Sequence, residues 1–166
     1  MAKDAIPKKN YLILIGTIIL IISACFAIFN IYNIYQETKI KSSVLDKKSI
    51  KYEDLSEITK DMSANTFLLI SYSQNSKIYQ NEKEIKQLLK KNNLLDNLLY
   101  LDVTDKKEEE NLINDINEKL KLDDKNKITS VPAVIYYNEN QVTYVKDGNV
   151  TKDDFAQIID MYNLAS

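Results

Sequence analysis

The chain has no histidine, no arginine and a single cysteine, Cys25. Without histidine there is no imidazole to act as general base, and no His/Cys metal cluster can form within one chain. One cysteine excludes an intrachain disulfide, so cysteine usage leaves the redox compartment open. All 22 basic residues are lysine, and with abundant Ile and Asn this is the composition expected of an AT-rich bacterial genome. Proline is scarce too: there are two in the chain, which makes the position of Pro132 informative. The formal net charge of −2 conceals an asymmetry, since residues 1–51 carry +5 and residues 52–166 carry −7. An acidic domain argues against nucleic acid as its partner, because neutralising phosphates needs a basic face.

What the chain does have is a long apolar run near its start. Tyr11 to Phe29 is interrupted only by Gly16, Thr17 and Ser23. As a helix this run covers roughly 28 Å, close to the ~30 Å hydrocarbon core of a bilayer. Apolar character continues through Ile31, Tyr32, Ile34 and Tyr35, and Tyr11, Tyr32 and Tyr35 fall where aromatic belts sit. A buried core helix of this length would show a polar face. The expected layout is a short basic tail (1–10), a transmembrane anchor helix (11–35), a juxtamembrane basic stalk (36–48) and a folded domain (49–166), with the lipid bilayer as one partner.

Ile22-Ser23-Ala24-Cys25 resembles a bacterial lipoprotein cleavage box, which would make Cys25 a lipidation site. The residues after it, Phe26 to Phe29, stay apolar where a lipoprotein turns polar, so an uncleaved anchor is the preferred reading. Lys8 and Lys9 abutting the apolar run point to a start-transfer anchor with the domain outside the cytoplasm. Lipidation would give the same address.

The domain reads as β-α-β-α-β-α-β-β-α. Ser49 to Tyr52 is a short strand and Tyr52 to Met62 a helical stripe through Leu55 and Ile58. Thr66 to Tyr72 is nearly all apolar, as suits a strand buried on both faces. A polar turn leads into a helix reaching about Asn92, with Ile78, Ile85, Leu88 and Leu89 inward. Leu98 to Val103 is a strand, and Glu108 to Leu120 a helix burying Leu112, Ile113, Ile116 and Leu120. Then comes Ile128-Thr129-Ser130-Val131-Pro132, followed by Ala133 to Tyr137, a turn at Asn138-Glu139-Asn140, and a strand from Gln141 to Val145. Asp147-Gly148 and the capping-box pattern Thr151-Lys152-Asp153-Asp154 open a last helix carrying Phe155, Ile158, Ile159 and Tyr162. The alternation implies parallel strands with right-handed crossovers, to which the hairpin adds an antiparallel edge.

This order of proline, strand, hairpin, glycine and helix resembles the C-terminal half of a thioredoxin-like domain. The resemblance spans about residues 49–164 and implies an α/β thioredoxin-like fold with a mixed central sheet. It also implies a cis bond before Pro132 and a groove beside it. In that family a Cys-x-x-Cys motif opens the helix after the central strand. Here the matching position is Asn75-Ser76-Lys77-Ile78 or Lys77-Ile78-Tyr79-Gln80, and neither holds a cysteine. The buried acid that the family carries in the strand would fall on Leu69 or Ser71. Thiol–disulfide exchange by the family mechanism is therefore not expected.

A serine nucleophile at Ser73 or Ser76 beside Lys77 would need a desolvated lysine within reach, and serines at such positions serve more often as helix caps. The acidic run Asp102, Asp105, Glu108, Glu109 and Glu110 reads as a solvated helix start favoured by the dipole rather than a metal site. No cofactor is expected. What the resemblance leaves is the groove, where backbone groups of Ser130 and Val131 could pair with an extended partner. Ser73, Gln74, Asn75, Ser76, Lys77, Ser130, Val131 and Pro132 are its candidate residues. The layout is similar to membrane-tethered bacteriocin transport accessory proteins. The expected function is a redox-inactive, extracytoplasmic binding or accessory module for a protein or peptide; the alternatives are a structural subunit of an envelope complex and a lipoprotein anchored through Cys25.

Overall fold

The computed structural model describes residues 8–39, 42–58, 62 and 65–165, and the chain divides into two compact units, Met1–Lys39 and Ile40–Ser166. Most of the basic tail lies outside the described residues. The first unit contains one helix, α1 (Lys8–Lys39), whose segment Ile13–Tyr35 is long and apolar enough to cross a membrane. The helix continues through Cys25 without a break. Thr17 and Ser23 donate to the carbonyls four residues back, each at 2.9 Å, so neither hydroxyl is left unsatisfied in the apolar run.

The second unit is built on β2 (Thr66–Ser71), all six of whose residues are buried. β3 (Leu98–Asp102) runs parallel to it on one side, and β1 (Ser49–Ile50) runs parallel to β3 at the edge. On the other side β4 (Ala133–Asn138) is antiparallel to β2, and β5 (Gln141–Asp147) is antiparallel to β4. The sheet order is β1-β3-β2-β4-β5. Only half of the hairpin is an edge, because β4 lies inside the sheet. Glu139 and Asn140 both have positive φ, as a two-residue hairpin turn matched to the twist of its strands requires.

Alternate side chains of the central strands feed two cores. Phe67, Leu69, Tyr100 and Tyr136 face α3 (Ser76–Lys91) and α5 (Lys152–Met161), meeting Ile85, Leu89, Phe155 and Ile158. Leu68, Ile70, Leu101 and Ile135 face the other way, onto Leu55 of α2 (Leu55–Ile58) and Leu112 and Ile116 of α4 (Leu112–Lys119). The expected capping box on α5 is present, with Asp154 accepting from the Thr151 amide at 2.8 Å.

Three boundaries differ from expectation. α4 begins at Leu112 rather than Glu108, because Leu112 and Ile116 carry its burial while Glu108, Glu109 and Glu110 stay exposed in turns. α2 is one turn long where a helix to Met62 was expected; residues 59–61 lie outside the described residues. The packed domain also starts before residue 49. Leu45 is 1% exposed within the α3–α5 core, and Val44 packs against the same cluster. This short apolar pair removes residues 43–48 from the expected solvated stalk.

Leu45→Ala should therefore lower domain stability by about 2–5 kcal/mol, the usual cost of truncating a fully buried leucine. Urea unfolding of the full chain in detergent micelles would measure it; a change below about 0.5 kcal/mol is what a solvated stalk residue would give.

Candidate functional site

The segment leading to Pro132 is held by side chains from two other elements. Asn117, buried on α4, clamps Ile128: its Nδ2 donates to the Ile128 carbonyl and its Oδ1 accepts from the Ile128 amide, each at 2.9 Å. At the end of β5 the Asp147 carboxylate accepts from the Thr129 amide at 2.5 Å, the Thr129 hydroxyl at 2.7 Å and the Ser130 amide at 3.2 Å. Partial burial alone would raise this carboxyl, but the donors outweigh it and hold the pKa below its ordinary 3.8. Gly148 follows with φ of +84°, a conformation that strains any residue with a Cβ, and its amide donates to the Pro132 carbonyl at 2.8 Å.

The Val131–Pro132 bond is cis, as the resemblance implies. Among the described residues no hydrogen bond takes up the amide or the carbonyl of Val131, which is half-buried. Pro132 borders a cavity of about 10 Å³ shared with Leu69, Ser71, Ile78, Asn81 and Glu82. The cis proline thus meets the first turn of α3, and the two sides of the expected groove are together.

The loop residues divide. Asn75 is the N-cap of α3, its Oδ1 accepting from the Ile78 amide at 3.0 Å. Of the two stretches matched to the motif, Asn75-Ser76-Lys77-Ile78 spans the helix start and reaches the cavity at Ile78, whereas Lys77-Ile78-Tyr79-Gln80 lies inside the helix. Gln74, Ser76 and Lys77 are exposed. Ser73 does not join them: it is buried, its amide donates to Thr104 Oγ1 at 2.7 Å, and its hydroxyl lies 2.9 Å from the same atom. It anchors the loop from beneath and caps no helix. Ser130 gives its amide to Asp147 and leaves its carbonyl unbonded among the described residues. Asp102 is occupied locally, accepting from the Thr104 amide at 2.8 Å.

Glu82 is the site residue that sequence reasoning missed. It is 2% exposed, accepting from Ser43 Oγ at 2.5 Å and from Tyr100 Oη at 3.1 Å. Burial raises its pKa, the hydroxyls of Ser43, Ser71 and Tyr100 oppose that, and the charge of Asp102 adds to the rise. Leu69 and Ser71, the strand positions left without an acid, line the cavity that Glu82 also lines. The strand positions carry no acid, and the carboxyl that lines the cavity beside Pro132 belongs to the helix. The signal was its spacing: Ile78, Glu82, Ile85 and Leu89 form one helical stripe, and a carboxylate on such a stripe is buried with its neighbours.

The strand order β1-β3-β2-β4-β5, the antiparallel hairpin and the proline at its head define a thioredoxin-like fold. Solved structures similar to the chain include thioredoxin O2 from Arabidopsis thaliana, at 11% identity over 72% of this chain and 97% of that one, TM-score 0.47. Thioredoxin f2 from Chlamydomonas reinhardtii is 9% identical over 71% and 97%, TM-score 0.48. Plasmodium falciparum thioredoxin is 13% identical over 69% and 98%, TM-score 0.45. Such likeness concerns the fold alone. No protein-family model and no curated protein matches the chain.

Asp147→Asn should weaken the clamp on Thr129 and Ser130, lowering stability at neutral pH by about 1–2 kcal/mol. Because the Asp147 pKa is depressed, its contribution is present above the ordinary 3.8 and lost as pH falls through the lower folded value. The gap between wild type and variant in urea unfolding should accordingly close below that pH, and a gap independent of pH would exclude the charged clamp.

Proposed function

We propose that the protein is a membrane-anchored, thioredoxin-like module that binds an extended segment of a protein or peptide in the groove beside Pro132, without thiol chemistry. The observation that carries this reading is the Val131 backbone, whose donor and acceptor are both unbonded among the described residues. Strand addition uses such groups for affinity and leaves specificity to the flanking side chains. Here those are Gln74, Ser76 and Lys77 on the helix side, and Ser130 on the strand side. The Asn117 and Asp147 clamps order the segment in advance, which reduces the entropy lost on binding.

Neither stretch matched to the family's motif holds a cysteine, and Cys25 lies within the apolar span of α1. Residues 40–166 contain no cysteine, so the domain has no thiol of its own to exchange with a client. The apolar residues after Cys25, Phe26 to Phe29, favour an uncleaved anchor, and Lys8 and Lys9 ahead of the span favour an extracytoplasmic domain. An accessory role in secretion, of the kind bacteriocin transport accessory proteins serve, fits this arrangement.

A photoreactive residue at Val131 or Lys77 should yield crosslinked adducts in intact membranes, and Cys25→Ser should leave their yield unchanged. Adducts confined to positions 16–23 of the anchor would instead favour a structural subunit held through its helix, and dependence on Cys25 would overturn the thiol-free reading. For orientation, external protease on cells stripped of their wall should digest residues 52–166. Protection of the whole domain would reverse the topology.

A further inference from the structure

Glu82 has a second neighbour besides the groove, namely the segment that follows α1 in sequence. The Ser43 hydroxyl donates to Glu82 Oε2 at 2.5 Å and accepts from the Leu45 amide at 3.0 Å. Leu45 fills the core beneath, Lys86 Nζ donates to the Val44 carbonyl, and the Lys48 amide closes a turn onto the Leu45 carbonyl at 2.7 Å. Residues 43–48 thus form a strap across α3 whose one link to a buried acid is Ser43. On its other side Glu82 lines the cavity under Pro132 with Ser71.

We propose that Glu82 is a proton-controlled latch, which holds the 43–48 strap closed on the domain when protonated and loosens it when ionised. The groups around the carboxyl explain the direction. β3 contributes Tyr100 and the negative Asp102, β2 contributes the Ser71 hydroxyl, which has no hydrogen-bond partner among the described residues, and α3 contributes Lys86, engaged with Val44. Ionised Glu82 is stabilised by hydroxyls, with Asp102 opposing it. Lifting the strap opens to water the carboxylate oxygen that the Ser43 hydroxyl now covers, and hydration there lowers the cost of the charge. In the closed form the pKa is raised, so closure is favoured at low pH and is lost as pH rises through the raised value.

Hydrogen exchange of the full chain in micelles reads this out at the Lys48 amide, with amides of β2 as the reference for global opening. The Lys48 protection factor should fall by up to about tenfold per pH unit above the ordinary 4.5 and level off once the buried carboxyl is ionised. Glu82→Gln should flatten the curve. Ser43→Ala, which removes a donor to the ionised form and leaves Glu82 in place, should carry the fall to higher pH. A pH-independent wild-type curve overturns the latch even if Glu82→Gln does not fold. So does a wild-type slope retained in Glu82→Gln, or a Ser43→Ala curve that superimposes on the wild type.

Discussion

Strand β2 is buried on both faces along its whole length, and a strand so placed must have both backbone edges paired, because no water reaches its amides and carbonyls. β3 and β4 meet that demand from opposite sides, and the side chains of β2 then require a helical layer above and below. α3 and α5 cover one face, α2 and α4 the other. The end of the sheet that carries Pro132 follows from the same strand. Where β2 ends at Ser71, the chain must turn into α3, and the neighbouring β4 must begin; Pro132 meets the first turn of α3 at that end.

Around this junction the polar side chains are distributed with a common effect. Asn117 and Asp147 satisfy the backbone of Ile128, Thr129 and Ser130, and Thr104 satisfies Ser73 in the facing loop. Val131 is passed over. Among the described residues its donor and acceptor stay unpaired between two fixed stretches of backbone, which is the arrangement the proposed strand addition needs, since a mobile loop would lose more entropy on binding. The buried carboxyl of Glu82 lies directly behind. Hydroxyls from the strap and from β3 reach it, so the carboxyl joins the start of the domain to the cavity beside Pro132.

Much of this architecture was legible in the residues. The apolar runs at 66–72 and 98–103, the stripe through Ile85 and Leu89, the turn at Glu139-Asn140 and the Thr151–Asp154 cap are local patterns, and local patterns survive folding when the hydrophobic face they define is the one buried. Others were not local. The start of α4 depended on which residues found a core to enter, and Leu45 looked like part of a lysine-rich linker because its burial is provided by α3 and α5, more than thirty residues away in sequence.

The sequence by itself determined the apolar N-terminal helix, the order of elements, the proline at the head of β4 and the absence of cysteine after residue 25, since each is written in composition, periodicity or a single residue type. Only the tertiary structure decided that Asp147 grips Thr129 from eighteen residues downstream, that Ser73 turns inward, and that Glu82 is buried beside Leu69, Ser71 and Pro132. These depend on which polar groups the packed elements bring within hydrogen-bond reach, a distance of about 3 Å that spacing along the chain does not encode.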